Sequence, residues 1–468
     1  MSSTRRNFLK TTAVATASFA ALKGQHLWAS PSSSVQGWTT SKNKKFQKIV
    51  PPLWRSTSAN SAAIQIDPSQ RYQKILGFGA AFTDASCYIF SQLNQQERQA
   101  LLSEFFGPSG LRLSVCRTCI GASDYSTSVY SFDESSEPDP ELKKFSIEHD
   151  RTYILPTLRE ARKINPDLFL FSSPWSPPGW MKAGKSMLGG NMRNEYFAPY
   201  AQYFVKFLQG YADDGVKINA VTVQNEVDTD QNGRMPAALW GQEYEIGFVK
   251  GHLGPALQSA SLDTKIWILD HNYNLAGRVV DELQDPDVYK YVDGVAWHGY
   301  FGKPEFMTQV HNAFPDKNAY WTEGGPDYTS PDYQTDWAKW GQTYSEILRN
   351  WARCIVGWNL VLDENGKPDI GPFSCGGVVT VNSKTHDLSR SGQYWAFAQY
   401  SKVIQRDAQV IASQGAMKGV SHVALENPDG AHVLVLTNQG ADQQISVQLG
   451  NQALDLTLEG DSITTLLL

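Results

Sequence analysis

The sequence predicts an α/β fold, a (β/α)8 TIM barrel followed by a C-terminal antiparallel β-sandwich domain. Three observations carry that reading. Eight short apolar runs, each ending in polar or glycine residues, alternate with amphipathic stretches through the middle of the chain. Beyond about residue 415 the helical period gives way to alternating segments broken by a Pro-Asp-Gly turn. No Gly-x-Gly-x-x-Gly fingerprint follows the first run, which argues against the alternative, a doubly wound open sheet.

Taken in order, the chain opens with paired arginines, Arg5 and Arg6, ahead of Phe8, Leu9 and Lys10, and then "TTAVATASFAAL". That apolar stretch is too short to cross a bilayer as a helix. The pattern resembles a bacterial twin-arginine export signal. Residues 1–30 are therefore expected to direct the protein to the periplasm or the cell exterior, with cleavage after Ala29. Residues 31–60, rich in Ser, Thr and Lys, read as an N-terminal tail. Residues 61–72, with "AAIQIDPSQ", read as a strand that joins the sandwich across the sequence. The barrel is expected over 73–405. Its first four strands are "ILGFGAAFTD" (75–84), "LRLSVCRTCIG" (111–121), "LFLFSSPWS" (168–176) and "AVTVQNE" (220–226). The next four are "IWILDHNY" (266–273), "VAWHGY" (295–300), "AYWTEGG" (319–325) and "CIVGWNLVL" (354–362). Helical segments such as "NQQERQALLSEFF" (94–106) separate them, and 406–468 make the sandwich. No later stretch reads as transmembrane.

Composition narrows the function. A chain of 468 residues, 41% hydrophobic and 19% charged, suits one large domain with a smaller one. A net charge of −6 and no basic run after the N-terminus argue against nucleic acid as a partner. Fourteen Trp and twenty Tyr supply rigid apolar faces with polar edges, which suit the C–H faces and hydroxyl rims of sugars. Five Cys make no disulfide framework. Cys116 and Cys119 have Cys-x-x-Cys spacing, but no second pair follows, so zinc is not expected there; they read as buried thiols, with a redox or disulfide role left open.

Working residues of such barrels sit at the C-terminal ends of the strands. Two carboxylates stand there, Glu226 on the fourth strand and Glu323 on the seventh. Other strand tips add Asp84, Trp175, His298, Tyr300 and Trp358. Two facing carboxylates are what glycosidic hydrolysis needs, one to protonate the leaving oxygen and one to attack or to activate water. A Glu226 carboxyl raised by burial and by the charge of Glu323 is the expected proton donor. Strand one has no His, and His271 and His298 stand apart in the sequence, which argues against a metal-dependent barrel hydrolase. A non-catalytic carbohydrate-binding barrel would keep the tryptophans without needing both glutamates.

The motifs "GFGAAFTDAS", "SSPWSPPGWMK", "VTVQNE" and "WTEGG", in that order, resemble glycoside hydrolase family 30, the group of glucosylceramidases, β-glucosidases and endo-β-1,6-glucanases. The likeness runs from about residue 60 to the end. It implies a retaining hydrolase of β-glucosidic bonds with no metal or other cofactor, and a β-linked glycan or glycolipid as partner. β-Xyloside or β-fucoside cleavage by the same mechanism is the alternative. Residue by residue, Glu226 matches the acid/base and Glu323 the nucleophile. Asn225 would bond the sugar 2-hydroxyl and the nucleophile, and Tyr300, after His298, would bond the nucleophile. Asp84 and Trp175 match residues holding the far hydroxyls, Trp358 an aromatic wall, and Arg117 a supporting arginine. Three positions depart from the family pattern: Val227 where Pro is common, Thr118 and Cys119 where Arg-x-Pro is common, and Gly324 and Gly325 after the nucleophile. They bear on loop shape and substrate preference.

Overall fold

The computed structural model describes residues 34–57 and 64–468; the expected export signal lies outside the described residues. Eight parallel strands close into a barrel. They are β1 (Gly77–Phe82), β2 (Val115–Cys119), β3 (Phe169–Ser173) and β4 (Ala220–Thr222). β5 (Lys265–Asn272), β6 (Val292–His298), β7 (Asn318–Glu323) and β8 (Ala352–Gly357) follow, and β8 pairs back onto β1. Each overlaps one of the eight expected runs, and β5 to β8 begin one to three residues earlier than expected. Their near-continuous burial is that of a sheet covered by helices outside and by side chains within.

Local chemistry sets the turns from strand to helix. Thr83 ends β1 and caps α1 (Asp84–Gln92) by accepting the Ser86 N–H at 3.1 Å. Asn94 and Glu97 form a reciprocal capping box, 3.0 Å in both directions, that starts α2 (Gln95–Phe106). Inside the barrel, Val115, Phe171, Ala220, Trp267, Ala296, Tyr320, Cys354 and Val356 fill the lower layer. Trp267 stacks on Tyr320 there, with centroids 3.9 Å apart. The barrel is a packed core rather than a pore.

Apart from a small three-stranded sheet, the remaining strands form one ten-stranded sheet that carries its own apolar cluster, including Ile64, Leu434, Leu436, Leu454 and Leu466. Residues from both halves of the sheet meet in that cluster, so the sheet folds over itself as a sandwich. Ile64–Lys74 lies between Gln409–Gln414 and Gln443–Leu449. The tail expected over 31–60 is corrected in part. Gln36–Ser41 and Lys44–Lys48 are strands, and the first pairs antiparallel with Ser462–Leu467. Their polar, Thr-rich sequence hid them, because one edge pairing holds them rather than a wide apolar face. Two helices, α3 (Trp337–Arg349) and α4 (Gly392–Ser401), join sandwich to barrel. Gly341 of α3 packs so closely that a Cβ there would meet Thr437 Oγ1 at 2.6 Å and Ile463 at 2.7 Å. Deleting residues 415–468 should strip that apolar seam and leave an insoluble barrel. A soluble, equally stable truncation in sedimentation and thermal melts would show two independent units instead.

Candidate active site

The site rests on a bulge. Alternate residues of a strand face one side. Arg117, Ser173, Thr222, His298 and Thr322 each follow an interior residue of the lower layer by two, and so line the barrel one level nearer its mouth. In β5 the same count after Trp267 gives Leu269. Leu269 and Asp270, however, both adopt left-handed backbone, φ 72° and 48°, and the register against β6 slips there. Leu269 joins the outer core and Asp270 turns inward. Glu245 holds the bulge by accepting the Leu269 N–H at 3.0 Å.

Asp270 and Arg117, both fully buried, then organise everything above them. Arg117 donates to Asp270 (2.6 Å), Asn225 Oδ1 (2.8 Å), Ser173 Oγ (3.1 Å) and the Glu323 carboxylate. Asp270 also accepts from Ser173, Thr222 and Thr322 at 2.7–2.8 Å and meets His298 Nε2 at 3.0 Å. Against the penalty of burial, the Arg117 guanidinium holds the Asp270 carboxyl well below the usual range. Tyr300 donates its hydroxyl to Glu323 Oε1 at 3.0 Å. Glu323 is thus gripped by a cation and a phenol.

Glu226 follows β4 on a left-handed backbone, φ 52°, with its N–H on the Asp270 carbonyl at 3.0 Å. Gln231 donates to its Oε2 at 3.0 Å. His298 Nδ1 lies 3.5 Å from Glu226 Oε1 and 3.8 Å from Glu323 Oε1. The two carboxylates can therefore be no further apart than the sum of those distances. Burial works against a charged His298, but Glu323 first and then Asp270 and Glu226 overcome it and push the imidazole up to about 9. The expected rise in the Glu226 carboxyl is corrected. Burial does raise it, but the close His298 imidazole and the charges on His271 and His298 outweigh burial and hold it below its ordinary range. The two histidines, distant in sequence, also come together here, with ring centroids 5.9 Å apart.

A cavity of about 280 Å³ opens onto these groups, walled by Trp175, Asn225, Glu226, Tyr300, Glu323, Trp358 and Asp124. Trp175 and Trp358 stack 5.0 Å apart on one side, and Trp175 also covers the Arg117 guanidinium at 4.6 Å. His298 is fully buried behind the wall rather than on it. Lys182, at the end of the "SSPWSPPGWMK" motif, ties that loop down by donating to Ser176 Oγ and the Met187 and Ala237 carbonyls at 2.5–3.1 Å.

Asp84 does not reach the cavity, which corrects its expected role. Because Thr83 caps α1, Asp84 is drawn into the first helical turn. It accepts the Thr127 N–H at 2.7 Å and meets His149 Nε2 and Tyr153 OH at 2.6 and 2.8 Å. The acid on the cavity wall is Asp124, three residues before Thr127 on the same loop. Its buried Oδ1 has no protein partner, and burial, reinforced by the charges of Glu323 and Glu226, pushes its carboxyl well above the usual range. Asp84 therefore anchors the loop that carries Asp124. Asp84→Ala should raise KM about tenfold, equivalent to ~1.4 kcal/mol, with a smaller change in kcat. An unchanged KM in steady-state kinetics would remove that role.

Sequence reasoning also missed Gln231, Met235, Asn272, Phe373 and Cys375 on the wall. All lie on or beside loops beyond the strand tips; for Asp124 the one available signal was an acid in a Gly- and Ser-rich loop after a strand, "GASDYS".

A closed parallel barrel with two carboxylates beside one imidazole, in an aromatic-walled cavity at the strand tips, defines an O-glycosyl hydrolase. The chain belongs to glycosyl hydrolase family 30. The family's TIM-barrel domain matches residues 75–404 and its β-sandwich domain residues 407–466. An endo-1,6-beta-D-glucanase of Neurospora crassa is 34% identical, over 82% of each chain. The lysosomal acid glucosylceramidase of Mus musculus is 28% identical, over 86% of this chain and 82% of its own. A solved structure of an endo-beta1,6-glucanase is 30% identical, with a TM-score of 0.84, covering 92% of this chain and 99% of that one. The protein is an enzyme of carbohydrate hydrolysis acting on β-glucosidic or related linkages. Among the described residues no helix is long and apolar enough to cross a membrane.

Proposed function

We propose that the enzyme hydrolyses β-1,6-linked glucan by double displacement with retention, Glu323 attacking and Glu226 moving the proton. One observation carries the mechanism: both carboxylates lie within 3.5 and 3.8 Å of the same His298 nitrogen. That bound falls short of most of the ~6.5–9.5 Å range of inverting pairs and accommodates the ~5–5.5 Å of retaining ones. Their partners separate the roles. Arg117 and Tyr300 aim the Glu323 carboxylate, whereas among the described residues the Glu226 carboxylate is held only by Gln231 and two imidazoles. His298, which carries a proton 3.5 Å away, is the nearest source for the proton that Glu226 delivers. The transfer leaves the net charge of the buried pair unchanged. The stacked tryptophans suit the C–H face of the sugar, and the unpartnered Asp124 Oδ1 accepts one of its hydroxyls. Esterification of Glu323 then frees Glu226 to activate water.

The β-1,6 linkage is supported by similarity to endo-1,6-glucanases in both sequence and structure. Purified protein should show its highest kcat/KM on β-1,6-glucan when tested beside glucosylceramide and aryl β-glucosides, β-xylosides and β-fucosides. A higher value on glucosylceramide would favour the glycolipid reading, to which the murine relative lends weight. We further propose export through the twin-arginine route, supported by "STRRNFLK" and the apolar stretch after it. Replacing Arg5 and Arg6 with Lys should trap active precursor in the cytoplasm, and unchanged secretion of that variant would end the idea.

A further inference from the structure

The acid/base carboxylate sits in a constellation that general acid–base chemistry alone does not require. His271 Nδ1 and His298 Nδ1 are both buried, and neither makes a hydrogen bond of normal geometry. Both face Glu226 Oε1, at 3.6 and 3.5 Å. The far nitrogen of each ring is held by a carboxylate, His271 Nε2 by Asp228 Oδ1 at 2.5 Å and His298 Nε2 by Asp270 Oδ1 at 3.0 Å. Once any proton on Nδ1 is displaced, a ring that gives its Nε2–H to a carboxylate presents a strengthened Nδ1 lone pair. This is the arrangement by which carboxylates orient histidine ligands toward a metal.

The spacing fits as well. Bonds of ~2.0–2.2 Å to a tetrahedral ion set neighbouring ligand atoms about 3.3–3.6 Å apart. The two carboxylate–imidazole edges are already close to that, and all three ligand atoms lie within 4.8 Å of one another. On binding, the third edge, between the two imidazole nitrogens, must close to the same length. Glu226 stands on the wall of the cavity, which supplies the entry path and leaves a fourth position open. Imidazole and carboxylate donors in this number suit zinc and its neighbours rather than calcium or magnesium, which prefer all-oxygen sites.

We propose that Glu226, His271 and His298 form a binding site for a borderline divalent cation such as Zn2+, whose occupancy blocks turnover. Binding displaces any proton held among the three ligands, and no other bond changes. The blocking of turnover rests on Glu226 being the proton donor; the binding does not.

The test uses Co2+ as a spectroscopic stand-in for Zn2+ on the full-length protein. Adding Co2+ should give the strong visible bands of a four-coordinate histidine site with one-to-one stoichiometry, and Zn2+ should bleach them. Glu226→Gln and His271→Ala should each abolish the bands. Asp228→Asn, which alters only the half-exposed support of His271, should weaken Zn2+ binding about 10–100-fold and keeps the test open if a ligand variant fails to fold. Zn2+ should inhibit wild-type turnover in competition with substrate, and a chelator should restore it. No bands, or bands that persist in both ligand variants, would overturn the proposal. Bands with undiminished turnover would support the site and overturn Glu226 as proton donor, so the two readings fail separately.

Discussion

Glu323→Gln should abolish turnover of every β-glycoside, activated or not, while Glu226→Ala should spare part of the first step on an aryl glycoside with a good leaving group. The asymmetry follows from chemistry. An amide does not replace the attacking carboxylate, whereas a leaving group that departs as an anion needs little protonation. In Glu226→Ala the second step then stalls for want of a base, and a glycosyl-enzyme accumulates on Glu323. The loss on unactivated substrates should reach about 10²–10⁴-fold, the usual contribution of a positioned acid or base. Azide is small and already anionic. It should enter the space vacated by the Glu226 side chain, restore turnover and give a β-glycosyl azide by a second inversion at the same carbon. An α-azide from Glu226→Ala would exchange the two assignments, and rescue in neither variant would contradict both.

Arg117→Met should be the most damaging change outside the two glutamates. Arg117 is fully buried and neutralises Asp270 and Glu323 together, while its side chain lies against Trp175. Methionine fills part of the space but leaves Asp270 and Glu323 without their shared guanidinium in the barrel core. Removing one partner from a buried ion pair costs about 3–5 kcal/mol, so the melting temperature should fall sharply. Activity should fall at least about 10²-fold even in the folded fraction, since Glu323 loses the group that aims it. Arg117→Lys should recover some stability but little activity, because an ammonium cannot fork between Glu323, Asn225 and Asp270. A stable and active Arg117→Met protein, by melt and kinetics, would show that the charge network is not what sets the site.

The sequence reveals the barrel because each strand is a short apolar run that ends abruptly in polar residues, and this pattern is local. Glu226, Glu323, Trp175 and Trp358 were found by the same signal, being at or just past strand tips. Asp270 was not, because it sits within an apolar run, and only the two left-handed residues of the bulge turn it inward. His271 and His298 looked unrelated because helices separate their strands in the chain, whereas the barrel pairs those two strands directly. Asp84 was expected at the site and Asp124 was overlooked for a related reason. Position at a strand tip does not say whether the next residue enters a helix or a loop, and the Thr83 cap decides it. The direction of the Glu226 shift depended on the same unseen histidines, since a count of carboxylates alone gives the opposite sign.

Retention at the anomeric carbon is the claim on which the account stands. Proton NMR of the first-formed sugar, recorded with wild-type enzyme on an aryl β-glucoside before mutarotation, reads it directly. The account predicts the β-anomer first, with the α-anomer growing in only at the rate of mutarotation; the α-anomer first would mean a single displacement by water and would contradict a covalent bond to Glu323.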